Sequence, residues 1–189
     1  MDRDKAMALL TEYTSNPNLV KHMLSVEACM RAYAAKYGED VDRWGIIGLL
    51  HDFDYERWPD PPDHPLQGYE ILGRLGYPDD VRYAICSHAG YLQDRFPRIH
   101  LVDHVLFACD ELSGFVVAVA LVKGKNLANV DVPSVTKRLK EKNFARGVNR
   151  DDVVNGAAEL GVPLEEHIDF VINALKGIAG PLGLEGGAS

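Results

Sequence analysis

The chain sets a histidine beside an aspartate, His51-Asp52, at the end of the apolar run Trp44-Gly45-Ile46-Ile47-Gly48-Leu49-Leu50. Such a run belongs in a core, and burying an imidazole next to a carboxylate is costly unless something positive compensates them. The fold must therefore close around a polar cluster. The chain supplies further members for it: His22 upstream, then His64, His88 and Asp110 downstream. Neutral imidazoles and carboxylates make a mixed nitrogen and oxygen donor set, which suits one or two divalent transition-metal ions such as Mn, Fe, Co, Ni or Zn.

The periodicity around these residues is helical almost throughout, which predicts an all-α fold. Asn16-Pro17-Asn18 caps a helix over Leu19 to Tyr37 that Gly38 stops. Its stripe of Val26, Met30, Tyr33 and Tyr37 advances in steps of three and four, and His22 begins it. A helix from about Val41 to Phe53 delivers the His-Asp pair. The proline-rich loop Trp58 to Asp63 interrupts helix, and His64-Pro65 opens the next, which runs through Leu75. Further helices are expected from Asp79 or Asp80 to His88, over His100 to Val122, from Ser134, after the cap Asn149 to Asp152, and over Pro163 to Lys176. The glycine-rich segment 177–189 is expected to fray. These boundaries divide the chain into a metal-binding helical core (1–122), a C-terminal helical extension (123–176) and a flexible tail (177–189).

The 189 residues, 47 % of them hydrophobic, suffice for one domain with a small C-terminal lobe. The longest uncharged apolar run, Phe115 to Val122, is far short of the roughly 20 residues a spanning helix needs. The charged N-terminus has no apolar segment behind it, so neither a membrane span nor a secretory signal is expected. Cys29, Cys86 and Cys109 lack metal-ligand spacing and are expected as buried reduced thiols in a cytoplasmic protein. The net charge of −8 argues against broad nucleic-acid affinity. It is unevenly spread: Leu121 to Arg150 holds eight basic residues against Asp131 and Glu141, a solvated face or a surface that recruits a phosphorylated substrate.

Taken singly, each candidate has a bland reading. A histidine on an apolar stripe is commonly a core residue, His64 could cap a helix, and Asp110 could lie on a polar edge. The joint pattern carries the inference, because six donors from five predicted helices all sit at helix ends or on inward faces. His22, His51, Asp52 and Asp110 suffice for one ion, and His64 with His88 would serve a second if Asp52 bridges.

The order of these motifs resembles the HD superfamily of metal-dependent phosphohydrolases, with its first His, His-Asp pair and distal Asp on an all-helical fold. Leu49 to Glu56, His64 to Leu72 and Cys109 to Leu112 look like the small HDIG-type branch, as does Lys142 to Arg150. The resemblance implies His22, His51, Asp52 and Asp110 as ligands of a first metal, and His64 and His88 as ligands of a second. It departs at Asp54 and Tyr55, where that branch often carries Gly and Lys.

The expected activity is hydrolysis of a nucleotide or other small phosphate ester through a metal-activated water. Asp52 and His88 are the expected catalytic groups, and Lys123, Lys125 and Arg146 are candidates for stabilising phosphate charge. Glu27, Asp54 and Glu111 are candidates to orient the ligand imidazoles. His100 and His104 are expected in surface or supporting roles, and His167 in solvent. A di-iron oxygenase of the same fold, or a non-catalytic nucleotide-sensing module, would use the same donors.

Overall fold

The computed structural model describes residues 1–186, and among them it is all-α. The helices are α1 (Arg3–Tyr13), α2 (Pro17–Tyr37), α3 (Val41–Leu50), α4 (Asp63–Arg74), α5 (Asp79–Ser87) and α6 (Leu101–Val122), followed by α7 (Val132–Leu139), α8 (Arg150–Leu160), α9 (Leu164–Lys176) and α10 (Ala179–Leu182). Two compact units divide it, Met1–Leu106 and Phe107–Ser189. The division falls within α6, upstream of the Val122 boundary expected from the sequence.

In the first unit α2 packs along α3. Asn16 caps α2 by accepting from Asn18 N, with Pro17 in the first turn. Met23, Val26, Met30 and Tyr33 are fully buried on its inner face, each contributing roughly 1.5–3 kcal/mol by leaving water. Gly48 makes the close approach possible: a Cβ there would stand 2.8 Å from Met30 Cγ and 3.0 Å from the Glu27 backbone. The same glycine supplies a carbonyl to the site described below.

The apolar periodicity of the sequence does not disclose α1. Only Ala6, Leu9 and Leu10 of its residues are buried, too few to register as a stripe. Its partners are nevertheless specific. Arg3 makes a bidentate pair with Glu27, at 2.6 and 2.7 Å. Just past its end, the buried Thr14 hydroxyl donates to the Phe53 carbonyl at 2.9 Å, and Glu56 accepts from Ser15 N, Ser15 Oγ and Asn16 N. The Arg57 guanidinium lies 4.0 Å from the centre of the Tyr13 ring. The turns over residues 51–57, which carry His51, Asp52 and Asp54, are thus bound to the junction of α1 and α2.

In the second unit, α7 starts from a capping box between Asp131 and Ser134, two residues earlier than the sequence suggests. The basic stretch beyond it is partly structural. Arg150 donates to the carbonyls of Leu139, Glu141 and Val148 at 3.0–3.3 Å and also to that of Phe144, closing the loop between α7 and α8. The glycine-rich segment does not fray as expected over its described part. It forms α10, buries Leu182 and Leu184, and pairs Gly186 N with the Lys125 carbonyl. Residues 187–189 lie outside the described residues.

Among the described residues α6 alone is long and apolar enough to cross a membrane, with mean hydropathy 2.1 over its best window. Of that window 61 % is buried inside the protein, as in a core helix. Cys29, Cys86 and Cys109 are buried, and among the described residues they form no disulfide.

Candidate metal centre

Five of the expected donors converge in the first unit. His51 and His88 occupy equivalent positions, each capping the C-terminus of its helix. A helix leaves its last carbonyls without intrahelical partners, and both histidines use one: His51 Nδ1 faces the Gly48 carbonyl at 2.9 Å, and His88 Nδ1 the Ile85 carbonyl. A carbonyl only accepts, so each Nδ1 carries a proton, and in the neutral ring Nε2 is left with its lone pair. His64 sits at the other kind of helix end, inside the first turn of α4, where the backbone offers N–H groups rather than carbonyls. Its Nδ1 turns instead to the carboxylate of Asp54, at 2.8 Å.

With their Nδ1 atoms so held, the rings aim Nε2 at Asp52. Asp52 Oδ1 lies 3.2 Å from His64 Nε2, 3.3 Å from His88 Nε2 and 3.5 Å from His51 Nε2, while Oδ2 lies 3.8 Å from His22 Nε2. The donors form two triads that share Asp52, namely His22–His51–Asp52 and Asp52–His64–His88, with the ligand atoms of each within 4.8 Å of one another. Donors bound to one transition metal at about 2.1 Å stand about 3.0–3.5 Å apart. Neutral Nε2 atoms and a carboxylate at these distances set lone pair against lone pair, an arrangement that protons or a cation must relieve. The buried His/Asp set fits a divalent metal ion by both spacing and chemistry.

Without a metal, the relief comes from protons. Burial opposes the charge on Asp52, but the neighbouring His51 and the hydrogen bonds from His64 and His88 outweigh it and hold the carboxyl well below the usual carboxylate range. Burial likewise works to lower the His64 pKa, and the hydrogen bonds and charges of Asp52 and Asp54 overcome it, raising the value to about 10.

Two tyrosines stand beside His64, outside the His/Asp pattern of the sequence. The Tyr55 ring meets the imidazole edge-on at 5.2 Å between centres, and Tyr91 donates from its hydroxyl to the His64 carbonyl. Both rings are partly exposed, Tyr55 by 39 % and Tyr91 by 50 %. Burial, then the charges of Asp52 and Asp54, push the Tyr91 phenol up to about 12.

The remaining expectations divide. Asp54 does hold a ring nitrogen of one candidate histidine, His64, but Glu27 does not: both its oxygens serve Arg3, and Oε1 also takes Arg31 Nε. His100 is exposed, and its ring meets Tyr83 while its backbone N–H is capped by Asp103. His104 is half-buried on α6. Asp110, Glu111, Lys123 and Arg146 belong to the second unit. Asp110 and Glu111 are half-buried on α6, Lys123 Nζ pairs with Asp131 at 3.3 Å, and Arg146 donates to Asn143 Oδ1. His167, expected in solvent among acidic neighbours, is fully buried on α9 with Nε2 facing the Ala108 carbonyl at 2.9 Å. The surrounding glutamates describe the outer face of α9, whereas His167 lies on the inner face with Ile168, Val171 and Ile172.

Comparison with known proteins agrees with this arrangement. The HD domain family matches residues 19–114, which include both triads. Ribonuclease Y of Desulfotalea psychrophila (strain LSv54 / DSM 12343) is 33 % identical over 101 residues, covering 51 % of this chain and 18 % of that relative, so the chain spans a small part of its length. No solved structure matches the chain. With a family match over half its length, the chain belongs to the HD domain family, a superfamily of metal-dependent phosphohydrolases.

Proposed function

We propose that this protein is a metal-dependent phosphohydrolase acting on a nucleotide or other small phosphate ester. The observation that carries the reading is the convergence of four imidazole Nε2 atoms on the two oxygens of Asp52. His22, His51 and Asp52 would hold one ion, and Asp52, His64 and His88 a second. A divalent ion in such a site supplies Lewis acidity toward a phosphoryl oxygen and makes a bound water more acidic.

The chain's own residues have separable tasks. The Nδ1 contacts of His51, His64 and His88 lock the ring orientations before substrate arrives. Asp52 stays ionised and shared between the triads, and His88 is the one of its imidazoles proposed to act in catalysis. Tyr55 and Tyr91, partly exposed beside His64, would meet a substrate at the rim. Asp110 as a further ligand, and Lys123 and Arg146 as phosphate contacts, rest on the family pattern and on local charge respectively.

The relative's name points to a phosphodiester of RNA, and that substrate enters the test as a competing arm. A net charge of −8 favours a small ester over a polyanion. The test is metal analysis of the purified protein, followed by phosphate-release assays on nucleotides and small phosphomonoesters, with single-stranded RNA in parallel. Metal-dependent release from the small esters, lost in Asp52→Ala, is expected. RNA cleavage without it would replace the substrate class, and a chain that takes up no transition metal would end the reading.

A further inference from the structure

The three rings that aim at Asp52 Oδ1 are not held alike. His51 and His88 each lean on a neutral carbonyl of their own helix, three residues back. His64 leans on an ionisable carboxylate ten positions away in the chain. Asp54 is 1 % exposed, and both its oxygens are engaged: Oδ1 with His64 Nδ1 and Oδ2 with Gly68 N, each at 2.8 Å. The backbone is shaped to admit it. A Cβ on Gly68 would stand 3.0 Å from both Asp54 Cγ and Asp54 Oδ2, so only glycine lets α4 come this close to the carboxylate.

We propose that Asp54 is a positioning residue that makes the two ion sites unequal, strengthening the Asp52–His64–His88 triad over the His22–His51–Asp52 triad. The proposal rests on the dinuclear reading above. Two effects act together. A carboxylate behind an imidazole fixes the ring and makes its other nitrogen a better donor than a carbonyl does. It also adds a second buried negative charge on one side of Asp52, where a divalent cation offsets it. The site backed by Asp54 therefore fills first, and the His22 site fills second and more weakly.

The test is calorimetric titration of chelator-treated protein with Co(II), comparing wild type with Asp54→Asn and Gly68→Ala. Asp54→Asn retains the shape and an acceptor for His64 but removes the charge. Gly68→Ala retains the charge and crowds it off its seat. Wild type is expected to bind two ions in distinguishable steps. In both variants the tighter step weakens by roughly ten- to a hundred-fold while the weaker one is retained, and that retention reports an intact fold. A second readout needs no variant: in histidine 15N spectra of the metal-free wild type, the His64 Nδ1 proton should appear far downfield and exchange slowly. Two unchanged steps in Asp54→Asn, or no such proton, overturn the role of Asp54 and leave the metal reading standing. A wild type that binds fewer than two ions overturns the dinuclear reading itself.

Discussion

Each unit of the molecule buries histidine, and the two use it in opposite ways. In the first unit, His51, His64 and His88 give one nitrogen to an acceptor and turn the other toward the ionised Asp52. In the second, His167 turns Nε2 to the Ala108 carbonyl, a neutral acceptor in an apolar layer. His51 and His167 are equally buried, so burial does not mark a ligand. What sets the histidines of the first unit apart is that their Nε2 atoms converge on one shared carboxylate, which asks for a cation.

The contrast can be broken by exchanging its terms. His51→Ala should cost at least one bound metal ion per chain by elemental analysis. His167→Ala should leave the metal content as in wild type and lower the unfolding free energy by about 2–3 kcal/mol in urea titrations, the cost of a cavity and an unpartnered carbonyl. Loss of metal in His167→Ala would erase the distinction. A smaller effect tests the scaffold under His51. Gly48→Ala forces a methyl to within 2.8 Å of Met30 and should destabilise the fold by about 1–3 kcal/mol. Because Gly48 also anchors His51, metal affinity should fall with it.

The sequence disclosed the site better than its supports, for a physical reason. Ligands must stand at helix ends and inward faces, and such places leave a pattern in the apolar periodicity. His22, His51, Asp52, His64 and His88 stand out as candidates in that way, and the fold brings them together. Most of the helices were legible too, from caps such as Asn16-Pro17 and stops such as Gly38. Supports are held by contacts across tens of residues, and no spacing records them. Thr14 to Phe53, Glu56 to Ser15, and Tyr91 to His64 are of that kind. His167 misled because its sequence neighbours lie on the other side of its helix, and Arg150 because a guanidinium serving carbonyls looks, in sequence, like any other surface charge.

Two milder changes sharpen the same contrast between ligands and supports. Thr14→Val removes the hydroxyl that the Phe53 carbonyl accepts and should cost about 1 kcal/mol, leaving metal stoichiometry unchanged. The smallest effect is at Glu56. The backbone N–H of Asn16, then the Ser15 hydroxyl, hold its carboxyl below the ordinary 4.5. A carboxyl lowered in the folded state stabilises above its unfolded pKa, and that contribution disappears as pH falls through the lower, folded value. Glu56→Gln should therefore flatten the stability profile on the acid side of pH 4.5, and an unaltered acid limb would show the contact to be idle.

The docking of α1 bears on where this domain begins. The family match starts at residue 19, and a gene cut there would keep His22, His51, Asp52, His64 and His88. It would discard Arg3, Thr14, Ser15 and Asn16, and with them the grip on Glu27 and on residues 53–56. Such a fragment would keep the five candidate donors but lose the bonds from residues 14–16 to the turn that carries His51 and Asp52, leaving that turn the ties of Asp54 to His64 and Gly68. The stretch that the family pattern recognises thus leaves out contacts that hold the turn carrying His51 and Asp52.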